Sequence, residues 1–199
     1  MKHTNTYIVK KFDVSKYNIN VPKYYNIIKD ETKISYLFLN YIYYNKYNKR
    51  LDISSIYKDK NGKPIFLDNK LYFNISHSKN YITCSLSNTN IGVDLEEDRI
   101  IKDTLINKIK NKNDIDLDII QIWNIKEAYS KYLGIGLKLD FSKISINEIK
   151  KNINLISNIY NLKNNNLYLS LCYNIKENDI QNNINFIDKN ELIKFYELT

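Results

Sequence analysis

The residues of this chain best placed to do chemistry are two carboxylates on an alternating stretch and a carboxylate–lysine pair on a helical one. In Ile91-Gly92-Val93-Asp94-Leu95-Glu96 the apolar residues alternate with Gly92, Asp94 and Glu96, the period of a half-buried strand. Asp94 and Glu96 then share a face, where like charges repel unless a cation or a lysine sits between them. Gly92 on that face leaves room for a ligand to approach the backbone. Each feature has a plainer reading: carboxylates on the wet face of an antiparallel strand are commonly just solvated. In Trp123-Asn124-Ile125-Lys126-Glu127-Ala128-Tyr129-Ser130-Lys131, Glu127 and Lys131 stand four apart on one helix face. As a surface ion pair they would contribute about 0.3–0.5 kcal/mol. Packed across the strand, that helix would gather three carboxylates and a lysine, a set able to hold a hard cation and a phosphate.

The elements that must position these groups can be read outward from them. Ile119 to Leu133 is predicted helical and ends at Gly134. Asp114, Asp116 and Asp118 before it read as an acidic helix start, favoured by the dipole, and Ile100 to Lys112 as a weakly helical basic stretch. Residues 82–96 read as an antiparallel hairpin turning at Ser87 to Asn90. Ser76, His77 and Ser78 cluster at a strand end as donors suited to phosphate, although a lone histidine is more often structural. Upstream, Thr6 to Phe12 reads as a strand and Lys23 to Lys29 as a short helix after Pro22. Asp30 to Tyr47 is a helix whose stripe is Ile34, Leu37, Phe38, Tyr41 and Ile42, with Asp30 as N-cap. Lys33 lies in its first turn, where the dipole disfavours a cation, so Lys33 answers to something other than helix stability. Asn61-Gly62 marks a turn. Ile153 to Tyr160 and Leu167 to Tyr173 form a second hairpin around Asn164 to Asn166, and Ile184 to Ile187 adds a strand. These elements predict an α+β fold of two similar lobes, 1–90 and 91–199, each an antiparallel sheet with packed helices.

Composition narrows the partners. At 199 residues and 43% hydrophobic, the chain can bury a sizeable core. A net charge of +8 favours anionic partners, but the lysines are scattered rather than blocked, which weakens a nucleic-acid reading. Cys84 and Cys172 lack metal spacing and predict free thiols in a reduced, cytoplasmic protein. Met1 to Lys11 has no apolar core of a signal peptide, and Tyr36 to Tyr44 is too short to span a bilayer. The excess of Asn, Lys, Ile and Tyr reads as a coding bias, so Asn-rich runs are discounted as functional signals.

Four motifs in order give the chain a resemblance: Gly62-Lys63-Pro64, Asn74-Ile75-Ser76-His77-Ser78, Gly92-Val93-Asp94-Leu95-Glu96, and Trp123 with Lys126-Glu127, Lys131 and Gly134. The set resembles the 4′-phosphopantetheinyl transferase superfamily in its long, pseudo-dimeric, Sfp-like branch. The resemblance implies two lobes related by a pseudo-twofold axis with coenzyme A between them. It implies Mg²⁺, or Mn²⁺, on Asp94, Glu96 and Glu127. Lys131 would neutralise the pyrophosphate, Ser76 and His77 would contact phosphates, and Lys63 and Pro64 would line the adenine end. Lys33 falls where the family keeps a basic residue for the 3′-phosphate; Tyr57 replaces another, which shifts that role to Lys33, Lys58 or Lys60. The implied reaction moves 4′-phosphopantetheine from coenzyme A to a serine of an apo acyl- or peptidyl-carrier protein, releasing 3′,5′-ADP. Glu127, directly or through a metal-bound water, and Lys131 would be the catalytic groups. The segment between Glu96 and Trp123 is shorter than usual in this branch, which leaves the carrier open. A monomer is expected, because both halves lie in one chain, with neither membrane nor nucleic acid as partner. The competing readings are an inactive coenzyme A- or carrier-binding protein of the same fold, and a basic nucleic-acid-binding module.

Overall fold

The structure, a computed structural model, describes residues 3–68, 70–163, 165–174 and 181–198. Asn164, inside the expected second turn, lies outside them. The fold is α+β, as expected, and its two larger sheets face each other.

The first sheet runs β4 (Tyr72–His77), β5 (Tyr81–Ser87), β1 (His3–Lys10), β9 (Gln181–Ile187). Its pairs are antiparallel except β1 with β9, which is parallel. One face carries Val9, Phe73, Ile82, Cys84 and Leu86 against α1 (Asp30–Tyr47), which α5 (Lys189–Glu197) flanks. The predicted bounds of α1 hold, but the N-cap is Lys29 and Asp30 is the first helical residue. Residues 23–29 form turns rather than the expected short helix. Their tyrosines pack on α1 instead, Tyr24 and Tyr25 both hydrogen-bonding the Tyr36 hydroxyl.

The second sheet is antiparallel, β6 (Ile91–Glu97), β8 (Asn165–Asn174), β7 (Ile153–Leu162). Here the structure corrects the reading of 82–96 as a hairpin. β5 and β6 are consecutive but belong to different sheets, β5 lying between β4 and β1 while β6 pairs with β8. The alternation of β6 is as read and serves two packings at once. Ile91, Val93 and Leu95 join Leu167, Leu169, Leu171 and Ile8 of β1 in a core between the sheets. Gly92, on the other side of β6, meets α3 (Ile119–Leu133). That helix packs with Tyr168, Cys172 and Ile153 in a third core, with α2 (Asp103–Ile109) and α4 (Ile146–Asn152) at its edge. A small hairpin, β2 (Ile56–Lys58) and β3 (Pro64–Phe66), completes the strands described.

The expected lobe division at residues 90 and 91 falls in the crossing between sheets, and residues 181–198 add to the first sheet and to α1. Among the described residues no helix is long and apolar enough to cross a membrane.

Polar contacts clamp the sheets together at the ends of β4 and β6. Glu97 accepts from Ser78 Oγ (2.6 Å), Asn80 N (2.6 Å), Asn80 Nδ2 (2.8 Å) and Asn165 Nδ2 (3.4 Å). Burial works against its charge, but these donors outweigh burial and hold the carboxyl below its ordinary range. A pKa lower in the folded than in the unfolded chain stabilises fully above the unfolded value, about 4.3, and the stabilisation is lost as pH falls through the folded value. Glu97→Gln is therefore expected to cost about 2 kcal/mol at neutral pH. The cost should shrink below about pH 4. Urea denaturation across that range checks it; a pH-independent difference would rule out the clamp's charge as the cause.

Candidate active site

The sequence positions α3 by cap and stop signals. Asp118 caps its first turn by accepting from Gln121 N, and Gly134 ends it in the left-handed region at φ 72°. Of the three aspartates read as a helix start, Asp118 plays that part. Asp114 is instead buried: its Oδ2 pairs with Lys126 Nζ (2.6 Å) and its Oδ1 accepts from Ile146 N. Lys126, fully buried, also donates to the carbonyls of Ile109 and Phe141 (2.8 Å each), tying α2 to α3. That pair fixes the helix turn that carries Glu127.

Gly92 sets how closely α3 lies on β6. A Cβ there would stand 2.1 Å from Ala128 O and 2.3 Å from Tyr132 N. The space expected to admit a ligand is filled by the helix, which corrects the reading of Gly92.

The close approach brings the predicted groups together. Asp94, 4% exposed, receives Ser76 Oγ (2.7 Å) and Lys131 Nζ (2.7 Å) on Oδ1 and Asn124 Nδ2 (2.9 Å) on Oδ2. Lys131 Nζ also donates to Ser76 Oγ (2.8 Å). Glu96 Oε1 accepts from Trp123 Nε1 (2.8 Å), and Arg99, lying over the Trp123 ring, reaches both Glu96 oxygens. Burial, then the charge of Asp94, pushes the Glu96 carboxyl up. The same two causes, with Lys131 opposing, push Glu127 up to about 7. Glu127 Oε1 and Asn124 Oδ1 are buried with no hydrogen-bond partner. As arranged, no three His, Cys, Asp or Glu side chains among the described residues stand close enough to share a metal ion.

The remaining predicted residues divide. Lys63 belongs to the wall, but its ammonium donates to Asn90 Oδ1 (2.8 Å) and Ile91 O (3.1 Å), and burial pushes its pKa down to about 8. It braces the β2–β3 hairpin against the start of β6. Pro64, with Asn74 and Ile75, lines two adjoining clefts: one of about 220 Å³ beside Lys131 and Gly134, one of about 270 Å³ beside His77 and Glu31. His77 Nε2 lies 3.7 Å from Glu31 Oε2, and burial pushes the imidazole pKa down. Lys33 is not joined to this group by a hydrogen bond; it pairs with Asp30 at 3.8 Å. A cleft of about 730 Å³ runs from Asn20 to Ile56 and is not lined by any of these carboxylates.

The sequence reading gave no site role to three asparagines, although it quoted Asn74 in its second motif. Asn74 Oδ1 accepts from Val93 N (2.8 Å) across the seam between the sheets, Asn90 Nδ2 donates to Tyr132 O (2.8 Å), and Asn124 anchors Asp94. Discounting asparagine as coding bias hid them, although Asn124, three before Glu127 and seven before Lys131, marks the same helix face.

No family model matches the chain. Individual proteins do. The chain is 29% identical over 102 residues to the 4′-phosphopantetheinyl transferase gsp of Aneurinibacillus migulanus, covering 46% of this chain and 43% of that one. It is 34% identical over 109 residues to the L-aminoadipate-semialdehyde dehydrogenase-phosphopantetheinyl transferase of Candida glabrata, covering 44% and 42%. It is 29% identical over 97 residues to the 4′-phosphopantetheinyl transferase Sfp of Bacillus subtilis, covering 43% of each. The matches span under half the length of these relatives.

Proposed function

We propose that this chain, a relative of the 4′-phosphopantetheinyl transferases over the matched stretch, moves 4′-phosphopantetheine from coenzyme A to a serine of an apo carrier protein, with Mg²⁺, releasing 3′,5′-ADP. The observation that carries the reading is the meeting of β4, β6 and α3. There an unpartnered buried Glu127 oxygen stands beside the ionic knot of Asp94, Lys131 and Ser76.

The donor set fits a hard cation, since Mg²⁺ takes carboxylate oxygens. Burial first, and then mutual repulsion, raises Glu96 and Glu127, and the repulsion is what such an ion relieves. Asp94, Glu96 and Glu127, not close enough as they stand, would hold it once the Lys131 ammonium leaves Asp94 Oδ1 and the three side chains draw together. Bound there, Mg²⁺ or Mn²⁺ supplies neutralisation of a pyrophosphate's charge. Lys131 and Ser76, freed from Asp94, donate to the pyrophosphate and offset charge on the departing nucleotide. Glu127, directly or through a bound water, takes the serine proton. His77 stands at the nucleotide end. The two clefts sharing Pro64, Asn74 and Ile75 suit an elongated donor whose nucleotide lies by His77 and whose pyrophosphate lies by Lys131. On this reading the protein acts as a cytoplasmic monomer on acidic carriers, which its +8 charge favours.

Incubation with coenzyme A, Mg²⁺ and several apo carriers, read by mass spectrometry of the carriers, tests the reaction. Absence of the phosphopantetheine mass on all of them would reject it. Metal binding has its own readout. Mg²⁺ at about 100 times its dissociation constant is expected to stabilise the fold by about 2.7 kcal/mol. Glu127→Gln should remove most of that gain. An equal melting-temperature rise in both proteins would exclude Glu127 as a ligand.

A further inference from the structure

We propose that Lys63 is a positioning residue: its ammonium fastens the C-terminal end of α3 to the start of β6 and so holds Lys131 at Asp94, instead of binding the donor's nucleotide. The proposal rests on the transfer reaction above and adds to it a residue that acts through another.

The end of α3 needs partners from outside the helix. A helix leaves its last four carbonyls without donors of its own. Gly134 N covers Lys131 O and Ile135 N covers Ser130 O, both at 3.2 Å. Tyr132 O is covered from another part of the chain. Asn90 Nδ2 donates to it at 2.8 Å, and Lys63 Nζ stands 3.5 Å away, the limit of a hydrogen bond. A cation at that end is also favoured by the helix dipole.

Lys63 joins three elements at this point. Its ammonium donates to Asn90 Oδ1 (2.8 Å) and to the carbonyl of Ile91, the first residue of β6 (3.1 Å). An ammonium has three protons to give, and with Tyr132 O these oxygens account for all three. The stem is held as well, since Lys63 Cδ and Cβ lie 3.5 and 4.0 Å from where a Cβ on Gly134 would stand. At its own turn, Lys63 N donates to Asp59 Oδ1 and Lys63 O accepts from Asp59 N, both at 2.9 Å. Burial pushes its pKa down to about 8 with Asp59 opposing, as fits a cation withdrawn from water. Lys63 is part of the wall of the 220 Å³ cleft, but its charge is engaged on uncharged oxygens rather than left open to a phosphate.

Lys131 is the residue before Tyr132. Its Nζ reaches Asp94 Oδ1 at 2.7 Å and Ser76 Oγ at 2.8 Å. The turn that carries it is fixed to β6 from two sides, by Gly92 under Tyr132 N and by Asn90 and Lys63 at Tyr132 O. Without the ammonium, Asn90 Oδ1 and Ile91 O lose that donor and the turn is free to lift. A misplacement of about 1 Å can cost about 10²-fold in rate. Where the displaced group meets charge that develops in the transition state, the loss falls on rate more than on binding.

The test uses Lys63→Met, which keeps the stem and removes the donors, together with Asn90→Ala and the double variant. Three quantities are measured: kcat and KM for coenzyme A in carrier modification, the dissociation constant of 3′,5′-ADP by calorimetry, and amide hydrogen exchange over residues 130–135. In each single variant kcat is expected to fall about tenfold or more, while KM and the dissociation constant stay within about threefold. Exchange at the end of α3 should quicken. The double variant should be about as slow as the slower single one, because either substitution breaks the same junction. A kcat within about twofold of the native value, 3′,5′-ADP binding weakened more than about tenfold in Lys63→Met, losses that multiply in the double variant, or unchanged exchange would each overturn the proposal. Should Lys63→Met fail to fold, Lys63→Gln is judged by the same thresholds. If the native chain modifies no carrier, the transfer reaction is rejected and the junction is judged without it: quickened exchange with 3′,5′-ADP binding intact upholds it, and unchanged exchange overturns it.

Discussion

Asp94→Ala is expected to lower carrier modification by about 10³-fold or more while most of the fold survives. Both carboxylate oxygens are engaged, Oδ1 by Ser76 and Lys131 and Oδ2 by Asn124. Truncation therefore removes a proposed metal ligand and also the group that aims Lys131 and Ser76 at one point. The cost to stability is smaller. Lys131, one quarter exposed, can turn to water, but the buried Asn124 amide loses its acceptor at a cost of about 1–3 kcal/mol. Measuring the melting temperature beside the transfer rate separates the two effects. Asp94→Asn, which keeps the shape without the charge, should remain nearly as inactive. Full activity of Asp94→Ala at saturating Mg²⁺ would remove Asp94 from the metal site.

Gly92→Ala is expected to be the most disruptive alanine substitution among the four glycines. The new Cβ would stand 2.1 Å from Ala128 O, 2.3 Å from Tyr132 N and 2.8 Å from Tyr132 Cα, all backbone that no rotamer change can move aside. α3 must lift from β6 by on the order of 1 Å, with a stability cost of about 3 kcal/mol or more. Because α3 carries Glu127 and Lys131 while β6 carries Asp94, a shift of that size should also cost about 10²-fold in rate in whatever remains folded. Gly62→Ala is the control. Gly62 has φ 91° but nothing within 4 Å of an added Cβ, so it should cost only the backbone strain of about 1–2 kcal/mol. Comparable losses in the two variants would refute the close-approach account.

Local signals carried much of this architecture. The alternation of Ile91 to Glu96 told which side chains of β6 share a face, because a one-residue slip would have put Leu95 where Glu96 stands. Asp118 and Gly134 bounded α3, and the apolar stripe gave α1 its full extent. What local signals could not carry was the partner of β6. Two alternating runs joined by a polar turn look like a hairpin, yet the pairing of Asp94 with Ser170 spans 76 positions and leaves no mark near either residue. The buried pair of Lys126 and Asp114 was masked similarly, since an Asp-rich run before a helix has an adequate explanation in the dipole alone. The roles of Asn90 and Asn124 were lost for a different reason: a bias in composition says nothing about the individual positions that use it.

The parallel pairing of β1 with β9 bears on the order in which the molecule can be assembled. During synthesis β1 emerges well before β9, the neighbour that covers its outer edge. The sheet of β6, β8 and β7 has all its strands by residue 174, before β9 exists. A growing chain thus carries β6, with Asp94 and Glu96, in a complete sheet while β1 still has an open edge, and an open edge invites pairing with other chains. The segment that closes it, 181–187, contains none of the catalytic candidates, and a nascent chain lacking it would hold every group of the site on an unfinished support.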